Sequence, residues 1–355
     1  METASIGAVK MTVHRVFTVP VRMWSHQKLK RIVAVSATLS LAFAGAAFAA
    51  EGGAGFYLLG SRGPAAGALP PPGIYFQNDI YIYSGSLGGG RGLPTGGKVV
   101  GDVDGSVAVE LPTGIWVTPW EILGGNFGLS ATVPVGYKSA SAKLDIVSPR
   151  FGTAIQRGQS DDIFTVGDPV ISGMIGWHHG NFHWQTGVMV NVPIGDYHDG
   201  ALANLSFNHW GADLYAAASW IDPTSGIDIS GAIGVTFNAE NPATNYRTGD
   251  ELHIEWAVSK TFSPKFSAGL TGYYYDQISG DSGAGAVLGG FEGRVAAIGA
   301  TVGYNFEVGE TPVAARLKYF HEFAADNRAE GDAGYITFSI PIGQHKPKTQ
   351  LAASE

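Results

Sequence analysis

The stretch Phe207-Asn-His-Trp-Gly-Ala-Asp-Leu-Tyr-Ala-Ala-Ala-Ser-Trp220 decides the fold, because its side chains sort by parity. Trp210, Ala212, Leu214, Ala216, Ala218 and Trp220 share one face, while His209, Asp213, Tyr215 and Ser219 share the other. A period of two is the mark of a β-strand, and here one face is apolar and the other polar. At ~3.3 Å per residue and a tilt near 40°, the two tryptophans stand about 25 Å apart along a membrane normal, the height of an outer-membrane apolar band. They read as the two aromatic girdles of a transmembrane barrel.

Working outward, similar segments are expected near 73–83, 104–118, 126–138, 166–178, 181–192, 207–221, 226–237, 251–262, 266–277, 292–306, 312–323 and 333–342, twelve in all. Tight connections (178–180, 222–226, 263–265, 308–311) alternate with long Gly-, Asn- and Asp-rich ones (85–103, 193–206, 238–250, 280–290). Short turns at one end and long loops at the other fit a membrane barrel. A soluble sandwich also alternates, but has no reason to sort its loops this way or to place aromatics at both ends of an apolar face. The fold class expected is all-β, a transmembrane antiparallel β-barrel of about 12 strands spanning 73–342.

Composition agrees. The 355 residues include 51 glycines and no cysteine, and only 15% are charged, well below the ~25% of a typical soluble chain. Without cysteine there is no disulfide, thiolate metal site or thiol nucleophile. Lys28, Lys30 and Arg31 precede an apolar run from Ile32 that ends in Ala47-Phe48-Ala49, the pattern of a secretory signal peptide over 1–49. Met1, Met11 and Met23 are all candidate starts, and Met23 gives a signal of ordinary length. Removing residues 1–49 takes six basic residues and one acidic residue from totals of 22 and 30, leaving 16 against 29, a net charge of about −13. Such an exported, acidic chain has no electrostatic reason to bind nucleic acid. No later apolar run reaches the ~18 residues of a spanning helix.

An even strand number places both ends of the barrel in the periplasm. Residues 50–72, with Phe56-Tyr-Leu-Leu-Gly60 and Pro70-Pro-Pro72, are then either a periplasmic leader or a segment that enters the lumen as a plug. Residues 343–355 form a polar tail expected to be disordered.

Chemical motifs mostly fail. Gly92 to Val99 approaches a phosphate-binding loop, but Val99 replaces the Ser or Thr that would hold magnesium. His321-Glu322 lacks a second histidine at Ala325, and there is no Gly-x-Ser-x-Gly elbow. His178, His179 and His183 cluster, yet two of them flank a turn, where polar residues belong anyway. No catalytic, metal or cofactor-binding residue is singled out, and no cofactor is called for.

The informative polar residues are those that alternation turns inward. The acidic and neutral ones are Asp79, Asp168, Gln185, Asp213, Glu251, Glu255 and Glu322. With them come His183, His209, His253, Arg316 and Lys318. A charge facing lipid near mid-membrane costs about 2–4 kcal/mol, so Arg316 and Lys318 belong in the lumen. They either fill and brace the barrel or border a path with Tyr75, Tyr215, Tyr273 and Tyr275, whose rings suit a planar apolar solute.

Several segments resemble one family. Phe56 to Gly60, Pro70-Pro-Pro-Gly-Ile-Tyr-Phe76, Thr244-Asn-Tyr-Arg-Thr-Gly-Asp-Glu-Leu-His253, Gly272-Tyr-Tyr-Tyr-Asp276 and Arg294-Val-Ala-Ala-Ile-Gly299 are similar to the meta-pathway phenol-degradation family of outer-membrane proteins, over roughly 52–342. The resemblance implies a Gram-negative outer-membrane barrel, in contact with membrane lipid and lipopolysaccharide, that passively admits small hydrophobic or aromatic solutes. It carries over no catalytic residues and identifies neither solute nor oligomeric state. A structural or surface-binding barrel and a membrane-embedded hydrolase are the competing functions.

Overall fold

The computed structural model describes residues 51, 55–92, 98–148, 153–286 and 289–344; the expected signal peptide and residues 345–355 of the tail lie outside them. The strands are β1 (Gly73–Gly92), β2 (Lys98–Ile122), β3 (Gly125–Thr132), β4 (Val135–Ser148), β5 (Thr153–Val166), β6 (Val170–His179), β7 (Phe182–Asn191), β8 (Gly211–Asp222), β9 (Ile227–Asn238), β10 (Glu251–Ser263), β11 (Phe266–Gln277), β12 (Arg294–Val308), β13 (Thr311–Asp326) and β14 (Glu330–Gln344).

They make one closed antiparallel sheet, because β1 pairs with both β14 and β2. Fourteen strands amount to twelve crossings. β3 and β4 are one crossing interrupted at Val133-Pro134, and β5 and β6 another interrupted at Gly167 to Pro169. Proline lacks the N–H that a ladder needs, so each break falls at a proline. The two breaks are adjacent in the wall and joined by the Gly167 N–H donating to the Pro134 carbonyl, while the Val133 N–H ties the first break to the Pro112 carbonyl on β2.

Four short turns sit where expected, with Gly180, Gly226 and Gly309 in the left-handed region. Gly73 lies opposite Gln344 at this short-turn end. Along β10, Leu252, Ile254, Trp256 and Val258 face outward, and with Leu214, Leu270, Ile298 and Leu317 they build the exposed apolar surface that lipid covers. Trp210 is exposed beside the first residue of β8, and Trp220 lies near that strand's short-turn end.

Four expectations need correction. The supposed loop 85–103 is mostly strand, since β1 and β2 stay paired out to Gly92 and Lys98. Residues 139–165, given no strand, pair as the β4–β5 hairpin. Polar composition suggested loops there, but both hairpins run past the end of β14, and strands beyond the apolar band have water on their outer side. β8 starts at Gly211 rather than Phe207, because Phe207 and Asn208 turn inward, Asn208 with φ of 58°. Finally, Asp168 lies in the break between β5 and β6 rather than on a strand.

Asp168 is fully buried and explains that local structure. Its carboxylate accepts hydrogen bonds from the backbone N–H groups of Gly195, Phe207 and Asn208, from the Ser206 hydroxyl and from the Asn191 amide. These bonds pull residues 192–210 against β5, whose ladder partner is β4 alone. Asp161 holds the same loop by accepting from the N–H groups of Leu202 and Ala203.

Candidate functional site: an occupied lumen

Residues 55–72 lie inside the barrel. Glu51 is at the long-loop end, where its carboxylate accepts hydrogen bonds from Asn241 and Thr244 and its N–H donates to Thr248. Burial pushes this carboxyl up from its ordinary value, against the lowering effect of the Thr244 and Asn241 bonds. From there the segment descends the inward row of β10. Gly55 packs against Glu251, the Tyr57 ring stacks on His253 at 3.6 Å, and Glu255 accepts from the Tyr57 hydroxyl and the N–H groups of Gly60 and Arg62.

Lower down, the Ala65 N–H donates to Asp228 and the Gly67 N–H to Ser219, while the Gln185 amide donates to the Ala66 carbonyl. A Cβ on Gly67 would stand 2.5 Å from the His183 carbonyl oxygen and 2.6 Å from the Ser219 nitrogen, so only glycine fits against that wall. Near the short turns Leu69 packs against Gly176 and Gly128, and Tyr75 donates to the Pro71 carbonyl. A segment that the sequence left as either a periplasmic leader or a lumen insert therefore runs through the lumen. Its glycines and prolines suit either role, and here the glycines permit close backbone approach to the wall.

The wall that receives it is polar. Lys318 donates to the carbonyls of Gly60 and Ser61, and the Tyr335 hydroxyl to that of Leu59. His253 shares a 2.8 Å hydrogen bond with Asp213, which also accepts from Thr236. The Tyr275 hydroxyl donates to Glu251, and those of Tyr273 and Tyr83 donate to Glu322. The Arg62 guanidinium lies 3.6 Å over the Tyr215 ring. Arg316 donates to Thr301, and Asp79 accepts from Gln77 and Thr337.

Among the inward-facing candidates, the structure brings Glu251, His253, Glu255, Gln185, Tyr215 and Lys318 directly to the segment. Tyr75 joins them at its base. His183 pairs with His178, their Nδ1 atoms 2.7 Å apart, and the described residues contain no group of three or more metal-type ligands. His209 is buried in the inward-turned loop rather than on β8. Sequence reading passed over Asp228, although its position two residues into a strand of known parity could have found it. It also passed over the inward row of β2. There Val107, Val109, Leu111 and Ile115 point into the lumen and Asp102, Asp104 and Glu110 point out, the reverse of the membrane rule. Beside the inserted segment remains a cavity of about 1370 Å³ lined by the inward β2 residues, Met174, Met189, Leu69 and several tyrosines, with Asp79, Lys138, Glu322 and Arg328 also on its border.

A family model described as "Putative MetA-pathway of phenol degradation" matches residues 89–338. The chain belongs to this family. No curated protein matches it in sequence. Among solved structures, this member of the phenol-degradation family is similar to the COG4313 outer membrane channel from Pseudomonas putida F1, at 13% identity and a TM-score of 0.56, over 78% of this chain and 98% of that one. A Pseudomonas aeruginosa FadL homologue is a looser match, at 11% identity and a TM-score of 0.35, over 79% and 92% of the two chains. For the phenol-degradation family member described here, the first of these likenesses agrees with the fold built above: a closed outer-membrane barrel of twelve crossings.

Proposed function

We propose that this protein is an outer-membrane channel for the passive uptake of small hydrophobic or aromatic compounds, with residues 51–72 acting as a plug, and that it is not an enzyme. One observation carries the reading: aliphatic, methionine and tyrosine side chains make up much of the border of the space left beside the inserted segment, together with charged groups such as Asp79, Lys138, Glu322 and Arg328, in a lumen where Glu255 and Lys318 are engaged by the segment itself. A twelve-strand bore is wider than the eight-strand barrels that side chains fill and narrower than a 16-strand porin, so a single segment can occlude it. Family membership and the channel named among the similar structures agree with this reading.

The test is conductance in planar bilayers, with aromatic-solute uptake measured in cells. The intact protein is expected to conduct ions weakly, and deletion of Glu51 to Pro70 to raise conductance and alter uptake. Unchanged conductance in a correctly folded, heat-modifiable barrel would reject the plug. The β1–β2 and β4–β5 hairpins, which continue beyond the end of β14, favour a second role in which lipopolysaccharide or another surface partner contacts them.

A further inference from the structure

Resting on the channel reading, we propose that the lumen is divided lengthwise, and that the solute binds along an apolar track on β2 that Leu69 of the plug closes at the short-turn end. The plug turns its polar backbone to one side. Its N–H groups at Gly60, Arg62, Ala65 and Gly67 meet Glu255, Asp228 and Ser219, all on β8 to β10, and its carbonyls at Leu59, Gly60 and Ser61 meet β13 and β14.

The opposite wall is chemically different. Val107, Val109, Leu111 and Ile115 line the cavity in one inward row broken only by Thr113, whose hydroxyl is engaged with Thr132. Gln77 and Asp79, which border the track on β1, are bonded to each other and to Thr337. Burying such hydroxyl, amide and carboxylate groups is tolerable because their partners are in place. Lys138, cross-strand from Val107, stands at the long-loop end of the track, and below it, from Val109 to Ile115, what the row offers a solute is mainly contact area, so it suits a neutral molecule that is apolar along most of its length.

The track ends at a plug residue. Leu69, Tyr75 and Val117 form a buried cluster, with Ile115 and Met174 packed against it. Leu69 reaches this place because residue 176 is glycine: a Cβ there would stand 2.7 Å from the Leu69 Cβ. Leu69 is thus both the floor of the track and part of the inserted segment.

The chain has no cysteine, so single-cysteine variants label one site. Val109→Cys is expected to react with a small methanethiosulfonate reagent, to be protected by naphthalene but not by the charged naphthalenesulfonate, and to lose naphthalene uptake once modified. Val109→Asp is expected to cut naphthalene uptake about tenfold, the effect of roughly 1.4 kcal/mol, because a carboxylate in the track must be desolvated as the solute passes. Leu69→Ala is expected to raise uptake severalfold. Val109→Thr, which keeps the volume, covers the case in which the aspartate variant does not fold, and should lower uptake in the same direction. If the wild type takes up naphthalene while modification at 109 and both substitutions leave the rate unchanged, the track is wrong and the channel stands. No uptake by the wild type above vector control would overturn the channel reading and the track with it.

Discussion

Glu255 shows what one inward carboxylate does in this lumen. It accepts three hydrogen bonds from the plug and is almost fully buried. Charge-assisted bonds of this kind contribute about 1.5–3 kcal/mol each. Glu255→Ala is therefore expected to loosen residues 57–62 without opening the barrel wall. The check is a rise in bilayer conductance toward that of the Glu51 to Pro70 deletion, with heat-modifiable migration retained. Asp168 has the opposite role, holding the wall rather than the plug. Asp168→Ala leaves several N–H and O–H donors unsatisfied at about 1–3 kcal/mol each. Its expected signature is faster proteolysis within 193–209 and a lower Tm, with the plug still in place. Alternation alone put both residues inward, and both are buried. It could not distinguish their roles, because the partners of each lie far away in sequence: residues 57–62 for Glu255, and 191–208 for Asp168.

Strand by strand, the sequence was legible wherever lipid and lumen impose opposite demands on the two faces. β10 is the clear case, with Leu252, Ile254, Trp256 and Val258 outside and Glu251, His253 and Glu255 inside. Ile254→Arg is expected to cost about 2–4 kcal/mol in folding free energy, measured by urea titration in lipid vesicles, whereas an arginine on the exposed β8–β9 turn at Thr224 should cost almost nothing. An equal cost at both positions would mean that β10 is not lipid-facing at that level. The same rule misreads β2, whose apolar row faces the lumen while Asp102, Asp104 and Glu110 face out. Asp102 and Asp104 lie at or beyond the end of β14, where lipid no longer sets the pattern, whereas Glu110 and the apolar row stand level with residues 333–341 of β14, and there the inward apolar side chains answer to the lumen rather than to lipid. The interrupted crossings were hidden for a related reason: Pro134 and Pro169 break the period, and only the pairing of β3 with β6 and of β4 with β5 shows that each break lies within one crossing.

For the whole molecule, closure and occupancy are one problem. The strand count followed from turn spacing, but occupancy of the lumen had no local signal. Gly67 could have suggested it only to a reader who already knew that the His183 carbonyl stands where a Cβ would be. Gly67→Val is expected to push the lower plug away from β7 and β8, raising conductance without changing strand content by circular dichroism. The full-length path of the plug also bears on the order in which the chain assembles. Its hydrogen bonds to β7 and the strands after it join residues 119 to 276 positions apart, and Tyr335, which bonds to Leu59, lies on the strand that seals the seam with β1. Contacts of such long range form late, because loop-closure entropy is lost before they can offset it. A nascent barrel must therefore fold around its own leading end, and the closing of the seam and the seating of the plug share one residue on the last strand.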